Sequence, residues 1–314
     1  MSQYSRRVFL THSAAGALAL ASQGILTSAA FAAEAAHPAE MAIAKWSGPT
    51  DLNPEQLKEA AVKLTENAIQ AIGGLKRFIG NGSVVWIKPN IGWDRKPETA
   101  ANTNPDVVAT LIRLCLAAGA KTVKVGDNSC NIAAKAYASS GIAEAAKSLG
   151  AEVVFMDKSR FKDTEIKGDR IKSIPIYPEI LECDLVINVP VIKHHQASEL
   201  TMCMKNYMGV IEKRPTFHQD MPTCLADITR FMKPRISVLD AVRVLKAHGP
   251  VGGNLADVEL KLALATGTDV VALDAWGAEI MGKTPTAIPS VKKGSELGLG
   301  NIDYKSIAKE IAVS

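Results

Sequence analysis

The sequence predicts an α/β fold, with a mostly parallel central sheet flanked by helices and an inserted edge segment. Three observations support this prediction. Strand-like and helix-like segments alternate along most of the chain, as they do in βαβ units. The segment 184–192 is rich in apolar β-branched residues, which is typical of a strand buried on both faces. No shift in composition marks a linker, so residues 74–314 are predicted to form one domain.

Residues 1–32 are predicted to be a twin-arginine signal peptide. Arg6 and Arg7 precede a mildly apolar run at 14–30, and Ala30-Phe31-Ala32 offers a cleavage site. The alternative is an ordinary N-terminal helix. The run contains glycines and polar residues, so no stable membrane anchor is expected after cleavage. We therefore expect the twin-arginine translocase to export the protein to the periplasm or another extracytoplasmic location.

The charge balance argues against a nucleic-acid partner. The chain has 36 Lys and Arg against 32 Asp and Glu, a formal net charge of +4. Residues 1–32 hold two arginines and no acid, so their removal would leave about +2, which is +4 less 2. A nearly neutral protein lacks the basic surface that contacts nucleic-acid phosphates.

Residues 33–73 are predicted to be a lead-in followed by a helix. The lead-in is rich in small residues and has one short strand, at 41–44. Asn53 as the N-cap and Pro54 in the first turn indicate where the helix begins, and Gly73 marks its end.

Strands and helices then alternate up to residue 156. The predicted strands are at 83–88, 122–125 and 152–156, and the predicted helices are at 107–118 and 142–149. Parallel strands joined in this way are expected to have right-handed crossovers. Charged residues and two prolines interrupt residues 157–180, which predicts either a hairpin or an irregular excursion at the sheet edge.

The second half of the domain begins with the central strand at 184–192. It is followed by a predicted helix at 225–232, strands at 236–240 and 260–265, and a helix at 270–281. The C-terminal part is predicted to hold two short helical pieces, around 294–298 and 307–311.

Polar side chains gather where the predicted strands end. In open α/β sheets, ligands bind at the carboxyl edge, where loops leave the strands. The candidates for a direct part in chemistry are Lys88, Asp127, Lys193, His194 and Lys205. The candidates for ligand binding are Asn90, Asn128, Asn206 and His218. Ammonium and amide groups can hold an anion, and an acid or an imidazole can transfer protons.

Each candidate also has a purely structural explanation. Lys88 and Asn90 could form a strand-terminal ion pair and an Asx turn, and Asp127 could cap a turn. Either histidine of the His194-His195 pair could be a hydrogen-bonded structural residue. Adjacent side chains in an extended chain point to opposite faces, so only one of the two histidines is expected to face the site.

The five cysteines form no C-x-x-C pair. Cys130, Cys203 and Cys224 are predicted to lie in loops at the same sheet edge. Together with His195 they could ligate a soft metal ion or an iron–sulfur cluster, and no narrower cofactor class is predicted. The alternatives are a Cys130–Cys224 disulfide in an oxidising envelope, or small buried thiols.

Five short motifs occur in a specific order along the chain. They are Ile87-Lys88-Pro89-Asn90, Gly126-Asp127, the segment 188–195, the segment 204–209 and Asp240-Ala241. Together they resemble the DUF362 family, and the resemblance covers roughly residues 74–282. It implies an α/β fold and occurrence of the domain in some iron–sulfur proteins that carry extra ferredoxin-type cysteine modules. This chain has no such module, so no cluster ligands are inferred from the family.

Two classes of function are consistent with these features. The first hypothesis is an exported, metal- or iron–sulfur-dependent redox enzyme that acts on a small anionic ligand, by a reaction that the sequence does not identify. The alternative is a non-catalytic periplasmic protein that binds a small anion or serves as an accessory factor. The glycines at 248–253 do not match a dinucleotide fingerprint, which excludes a standard nicotinamide site.

Overall fold

A mixed sheet with mostly parallel strands, flanked by helices, forms the centre of the protein. The computed structural model describes residues 39–314, and its architecture confirms the predicted fold class. The predicted signal peptide, residues 1–32, lies outside the described residues. Within the described part of the chain, no helix is long and apolar enough to span a bilayer.

The described strands and helices alternate through most of the chain. The strands are β1 (Met41–Trp46), β2 (Val84–Pro89), β3 (Thr122–Val125), β4 (Glu152–Val153), β5 (Lys162–Glu165), β6 (Ser173–Ile176), β7 (Leu185–Val189), β8 (Val191–His195), β9 (Glu199–Thr201), β10 (Ile236–Leu245), β11 (Val258–Gly267) and β12 (Ala308–Val313). The α-helices are α1 (Pro54–Ala71), α2 (Pro105–Ala117), α3 (Ala133–Ser139), α4 (Ile142–Ser148), α5 (Pro178–Glu182), α6 (Cys203–Asn206), α7 (Met221–Met232), α8 (Val270–Ile280) and α9 (Pro289–Glu296).

The main sheet brings the ends of its central strands to one edge. Its order is β12-β1-β11-β10-β7-β2-β3-β4, and the β8–β9 hairpin attaches to β10. Strands β10, β7, β2, β3 and β4 pair in parallel, whereas β11 is antiparallel to both β1 and β10. The carboxyl ends of β7, β2 and β3 therefore lie side by side, where ligands bind in open α/β sheets.

Apolar layers cover both faces of the sheet. Alternation along β1 shows this directly: Ala42 and Ala44 pack in the cluster formed with α1 and α2, whereas Met41 and Ile43 pack in the cluster formed with α8. A third cluster lies under the β5–β6 hairpin and α7. Burial on both faces explains why the central strands read as continuous apolar runs.

Polar side chains cap the start of three of the main helices, and one of them, Asn53, is a cap that the sequence predicts. Asn53 and Gln56 form a capping box at the start of α1, and Asn104 accepts a hydrogen bond from Asp106 N at the start of α2. Asp220 accepts from the backbone of the first turn of α7. These caps satisfy N–H groups that have no partner inside the helix.

The sequence predicts one strand at 184–192, but the structure has two strands there, β7 and β8. Pro190 lies between β7 and β8, because a proline has no N–H for the strand ladder. Its carbonyl instead accepts a hydrogen bond from Asp240 N at 2.9 Å. The second of these strands, β8, continues to His195 and pairs with β9 in an antiparallel hairpin.

Other element predictions fail where long-range pairing decides the conformation. The predicted helical piece at 307–311 belongs to β12, which pairs in parallel with β1. The strand predicted at 236–240 continues to Leu245, because β10 pairs with β11 over its whole length. The hairpin predicted within 157–180 is confirmed as β5 and β6, but it forms a separate two-stranded sheet.

Candidate functional site

A cavity of about 210 Å³ lies at the carboxyl edge of the central strands. Most of the residues that the sequence singles out line it. The lining residues are Asn90, Gly92, Trp93, Asp127, Asn128, Cys130, Lys193, His195, Thr201, Lys205, Asn206, Met208, Gly209, Arg214, His218 and Pro250. A larger cavity of about 310 Å³ beside the start of β7 contains none of the predicted site residues. Convergence of polar groups, rather than size, identifies the smaller cavity as the candidate site.

A buried ion pair forms the floor of this cavity. Lys88 Nζ lies 2.7 Å from Asp127 Oδ1, and neither side chain is more than 3% exposed. The second carboxylate oxygen of Asp127 accepts from Ile91 N at 2.8 Å. Burial lowers the pKa of Lys88, and the neighbouring Asp127 carboxylate opposes that shift. Lys88 lies behind the cavity wall and neutralises Asp127, so neither residue is a free charge for a ligand.

Gly209 lets the backbone approach this ion pair closely. A Cβ at this position would collide with Asp127 Oδ1 and would lie 2.6 Å from Lys88 Nζ. Its carbonyl accepts from Asn128 N at 2.9 Å, which ties the segment after α6 to the loop after β3. Glycine is required at position 209 because there is no room for a Cβ atom. Its φ angle is not positive, so backbone conformation does not explain the requirement.

A chain of side-chain amides connects the central strands below the cavity. Asn90 Nδ2 donates to Asn206 Oδ1 at 3.2 Å, and Asn206 Nδ2 donates to Asn188 Oδ1 at 2.9 Å. Asn188 Nδ2 in turn donates to the carbonyl of Cys203 at 3.0 Å. Because each amide uses both its donor and its acceptor, the network holds Asn90 in one orientation.

Lys193 lies at the wall of the cavity without a carboxylate partner. Its Nζ donates to Asn90 Oδ1 at 2.8 Å and to the carbonyl of Ala101. Only 1% of the residue is exposed. Burial, together with the nearby charge of Lys205, lowers the pKa of Lys193 to about 7.

Two further cations reach the cavity and also lack an acidic partner. In the part of the chain that the structure describes, the one hydrogen bond of Lys205 Nζ goes to Met208 Sδ, at 3.3 Å, and burial lowers the pKa of Lys205 to about 8. Arg214 donates to the carbonyls of Met208 and Asn128 and to Cys130 Sγ, the last at 3.1 Å. Among the ion pairs of residues 39–314, none includes Lys193, Lys205 or Arg214.

The adjacent histidines separate as the strand geometry predicts. His195 lines the cavity, and its Nδ1 accepts from Ala197 N at 3.1 Å. His194 is not a lining residue, and its Nδ1 accepts from Gly249 N at 3.2 Å. Burial lowers the pKa of His195 to about 3, so its imidazole is neutral at pH 7. His218 lies at the exposed rim of the cavity.

The predicted metal ligands do not come together. All five cysteines are free, so the alternative of a Cys130–Cys224 disulfide is wrong. Cys203 and Cys224 are fully buried in two different hydrophobic clusters, and only Cys130 and His195 line the cavity. Within residues 39–314, no group of three or more His, Cys, Asp or Glu side chains is placed to hold a metal ion. Burial also raises the pKa of Cys203 well above its usual value, which disfavours the thiolate that a metal requires.

Sequence reasoning missed Arg214 and Thr201, two residues of the cavity lining with polar side chains. Arg214 follows no strand and matches no motif, so no local signal identifies it. Thr201 is 3% exposed, and its hydroxyl has no hydrogen-bond partner in the described residues. It lies directly opposite Lys193 in the β8–β9 pair, so both side chains are on the same face. The hairpin register alone reveals this neighbour.

Comparison with known proteins gives the chain a family. A sequence model described as a domain of unknown function (DUF362) matches residues 85–279. A thylakoid-associated protein of Synechocystis sp. is 27% identical over 241 residues, which are 74% of this chain and 73% of that protein. A crystal structure of a Thermotoga maritima protein is similar with a TM-score of 0.36 and 14% identity, over 60% of this chain and 50% of that one. This chain therefore aligns with about half of the solved protein's length. The family match spans most of the chain and includes the motifs that line the cavity, and the protein belongs to the DUF362 family.

Proposed function

We propose that the protein binds a small anion in the cavity at the carboxyl edge of the sheet. One observation carries this proposal: Lys205 and Arg214 reach the cavity, and neither has a carboxylate partner among residues 39–314. The only acidic residue in the lining, Asp127, is already paired with Lys88. A partly buried cation without a counter-charge is costly, and a bound anion would offset that cost.

The positions of the two cations suit an anion that enters from solvent. Two backbone carbonyls hold the Arg214 guanidinium, so little side-chain freedom is lost when a ligand binds. Lys205 lies in the same lining and is partly exposed. The ligand set predicted for the rival hypothesis, a metal- or iron–sulfur-dependent redox enzyme, would require Cys203 and Cys224 to leave two separate hydrophobic clusters.

Calorimetric titration of the purified protein with sulfate, phosphate, acetate and pyruvate tests the proposal. Lys205→Met and Arg214→Met each remove a charge-assisted hydrogen bond of about 2 kcal/mol, which corresponds to roughly 30-fold weaker binding. Lys76→Met, which changes an exposed lysine remote from the cavity lining, is the matched control. If none of the four anions binds, or if the two cavity variants bind like the control, the proposal is wrong.

We further propose that the binding takes place outside the cytoplasm, after export by the twin-arginine translocase. The support is the order of Arg6-Arg7, an apolar run and Ala30-Phe31-Ala32 at the N-terminus. Replacing both arginines by lysine should retain the unprocessed protein in the cytoplasmic fraction. Unchanged processing and location of that double variant would argue against this pathway.

A further inference from the structure

We propose that the cavity takes a small 2-oxo acid and that Lys193 Nζ forms an imine with its carbonyl carbon. This inference rests on the anion binding proposed above and identifies the class of the ligand. The carboxylate of the 2-oxo acid would pair with Lys205 and Arg214, while its carbonyl group would face Lys193. Such a ligand needs cations to pair with its carboxylate and a nucleophilic amine to attack its carbonyl carbon. The cavity lining contains the cations Lys205 and Arg214 and the amine of Lys193.

The hydrogen bonds of Lys193 fit an uncharged amine. Its two acceptors, Asn90 Oδ1 and the Ala101 carbonyl, are both neutral groups. A neutral amine has two N–H bonds and one lone pair, so these two acceptors satisfy its donors and leave the lone pair free. Lys88, the other fully buried lysine of the site, pairs instead with the Asp127 carboxylate, as a charged ammonium does. The surroundings of Lys193 therefore favour a neutral amine, whereas those of Lys88 favour a charged ammonium group.

The acid–base behaviour of Lys193 agrees with this geometry. With a pKa of about 7, rather than its usual value of 10.5, about half of the amine is unprotonated at pH 7. The corresponding fraction for an ordinary lysine is roughly one in three thousand. Desolvation and a neighbouring cation, here Lys205, are the means by which proteins prepare lysines for imine formation.

Thr201 supplies an independent indication of a ligand. Its buried hydroxyl is without a partner in the described residues, although it lines the cavity on the same face as Lys193. A buried hydroxyl normally finds a hydrogen bond, and a ligand oxygen in the cavity would provide one. The volume of about 210 Å³ is below the range of about 300–1,000 Å³ that is usual for drug-sized ligands, so the ligand has few atoms.

The covalent step needs no oxidant, reductant or metal. The Lys193 nitrogen attacks the carbonyl carbon, a C–N bond forms, and the carbonyl oxygen takes up a proton. That proton comes from the amine nitrogen. The hydroxyl group then leaves with the second amine proton as water, and a neutral C=N bond remains. Trp93, Met208 and Pro250 provide an apolar part of the lining, which limits the water available to reverse the last step.

The test is reductive trapping on the full-length protein. Pyruvate is the probe, sodium cyanoborohydride reduces any imine to a stable secondary amine, and peptide mapping by mass spectrometry locates it. We expect the adduct on Lys193. Any exposed lysine should be modified at least about tenfold less than Lys193, because a much smaller fraction of its amine is unprotonated. Lactate has the same carboxylate but no carbonyl group, so an excess of it should suppress the adduct without forming one.

Lys193→Arg should abolish trapping, and Lys76→Arg is the matched control at an exposed lysine. If Lys193→Arg does not fold, the peptide map of the unaltered protein still decides the question. Pyruvate binding without an adduct at Lys193, or adducts spread over surface lysines, would overturn the imine and leave anion binding intact. Failure of pyruvate, lactate and the inorganic anions to bind would overturn the proposed function as well.

Discussion

Gly209→Ala is the sharpest test of the buried ion pair. The new methyl group would collide with Asp127 Oδ1 and would lie 2.6 Å from Lys88 Nζ, so the 2.7 Å contact between the two charges must open. Breaking a buried ion pair costs about 3–5 kcal/mol, and overpacking by one methyl group costs about 1–3 kcal/mol. Gly209 has no positive φ, so alanine also recovers about 0.4–1 kcal/mol by restricting the unfolded chain.

Taken together, these terms give an expected net loss of about 5 kcal/mol for Gly209→Ala. At about 2.1 cal/mol/K per residue over roughly 280 residues, this lowers the melting temperature by about 9 °C. The assay is thermal unfolding followed by circular dichroism, together with anion titration. Gly80→Ala is the matched control, because a Cβ there meets only Ser83 Oγ, at an ordinary 3.5 Å. Equal melting temperatures for the two variants would refute the proposed proximity of Gly209 to the ion pair.

Three further outcomes follow from the same site. Anion affinity should fall as the pH rises through about 8, because Lys205 loses its proton there, and titration at several pH values measures the affinity; a constant affinity through that pH would contradict the prediction. In the native protein, Cys130 should react with a thiol reagent while the fully buried cysteines react only on unfolding, and equal rates would contradict their burial. Asp274 accepts hydrogen bonds from the first N–H groups of α6, and burial raises its pKa to about 7. In chemical unfolding, Asp274→Asn should lower the free energy of unfolding by about 1 kcal/mol, and Asp274→Ala should lower it by more.

The site is built from polar groups that neutralise one another except at the cavity surface. Lys88 pairs with Asp127, and the amides of Asn90, Asn188 and Asn206 satisfy one another. What remains without a protein counter-charge are the cations that face the cavity. At the same edge, the histidines and cysteines of residues 39–314 assemble no group of three or more metal ligands.

Much of the fold follows from local patterns. Asn53 and Asn104 mark helix starts because their side chains satisfy free N–H groups, and the apolar run around Ile187 marks a strand covered on both faces. The β12 strand could not be read in this way. Its residues become a strand only because β1, which lies more than 250 residues earlier, offers an unpaired edge.

The amino-acid sequence by itself determined the α/β class and identified most of the polar residues that line the cavity at the carboxyl edge of the sheet. It did so because apolar periodicity and helix caps are local, and because strand ends carry the loops. Tertiary structure alone decided which of those residues are free. It paired Lys88 with Asp127, turned His194 away, buried Cys203 and Cys224 in separate clusters, and brought Arg214 and Thr201 to the cavity. These outcomes depend on hairpin register and on contacts between distant segments, which no local pattern encodes.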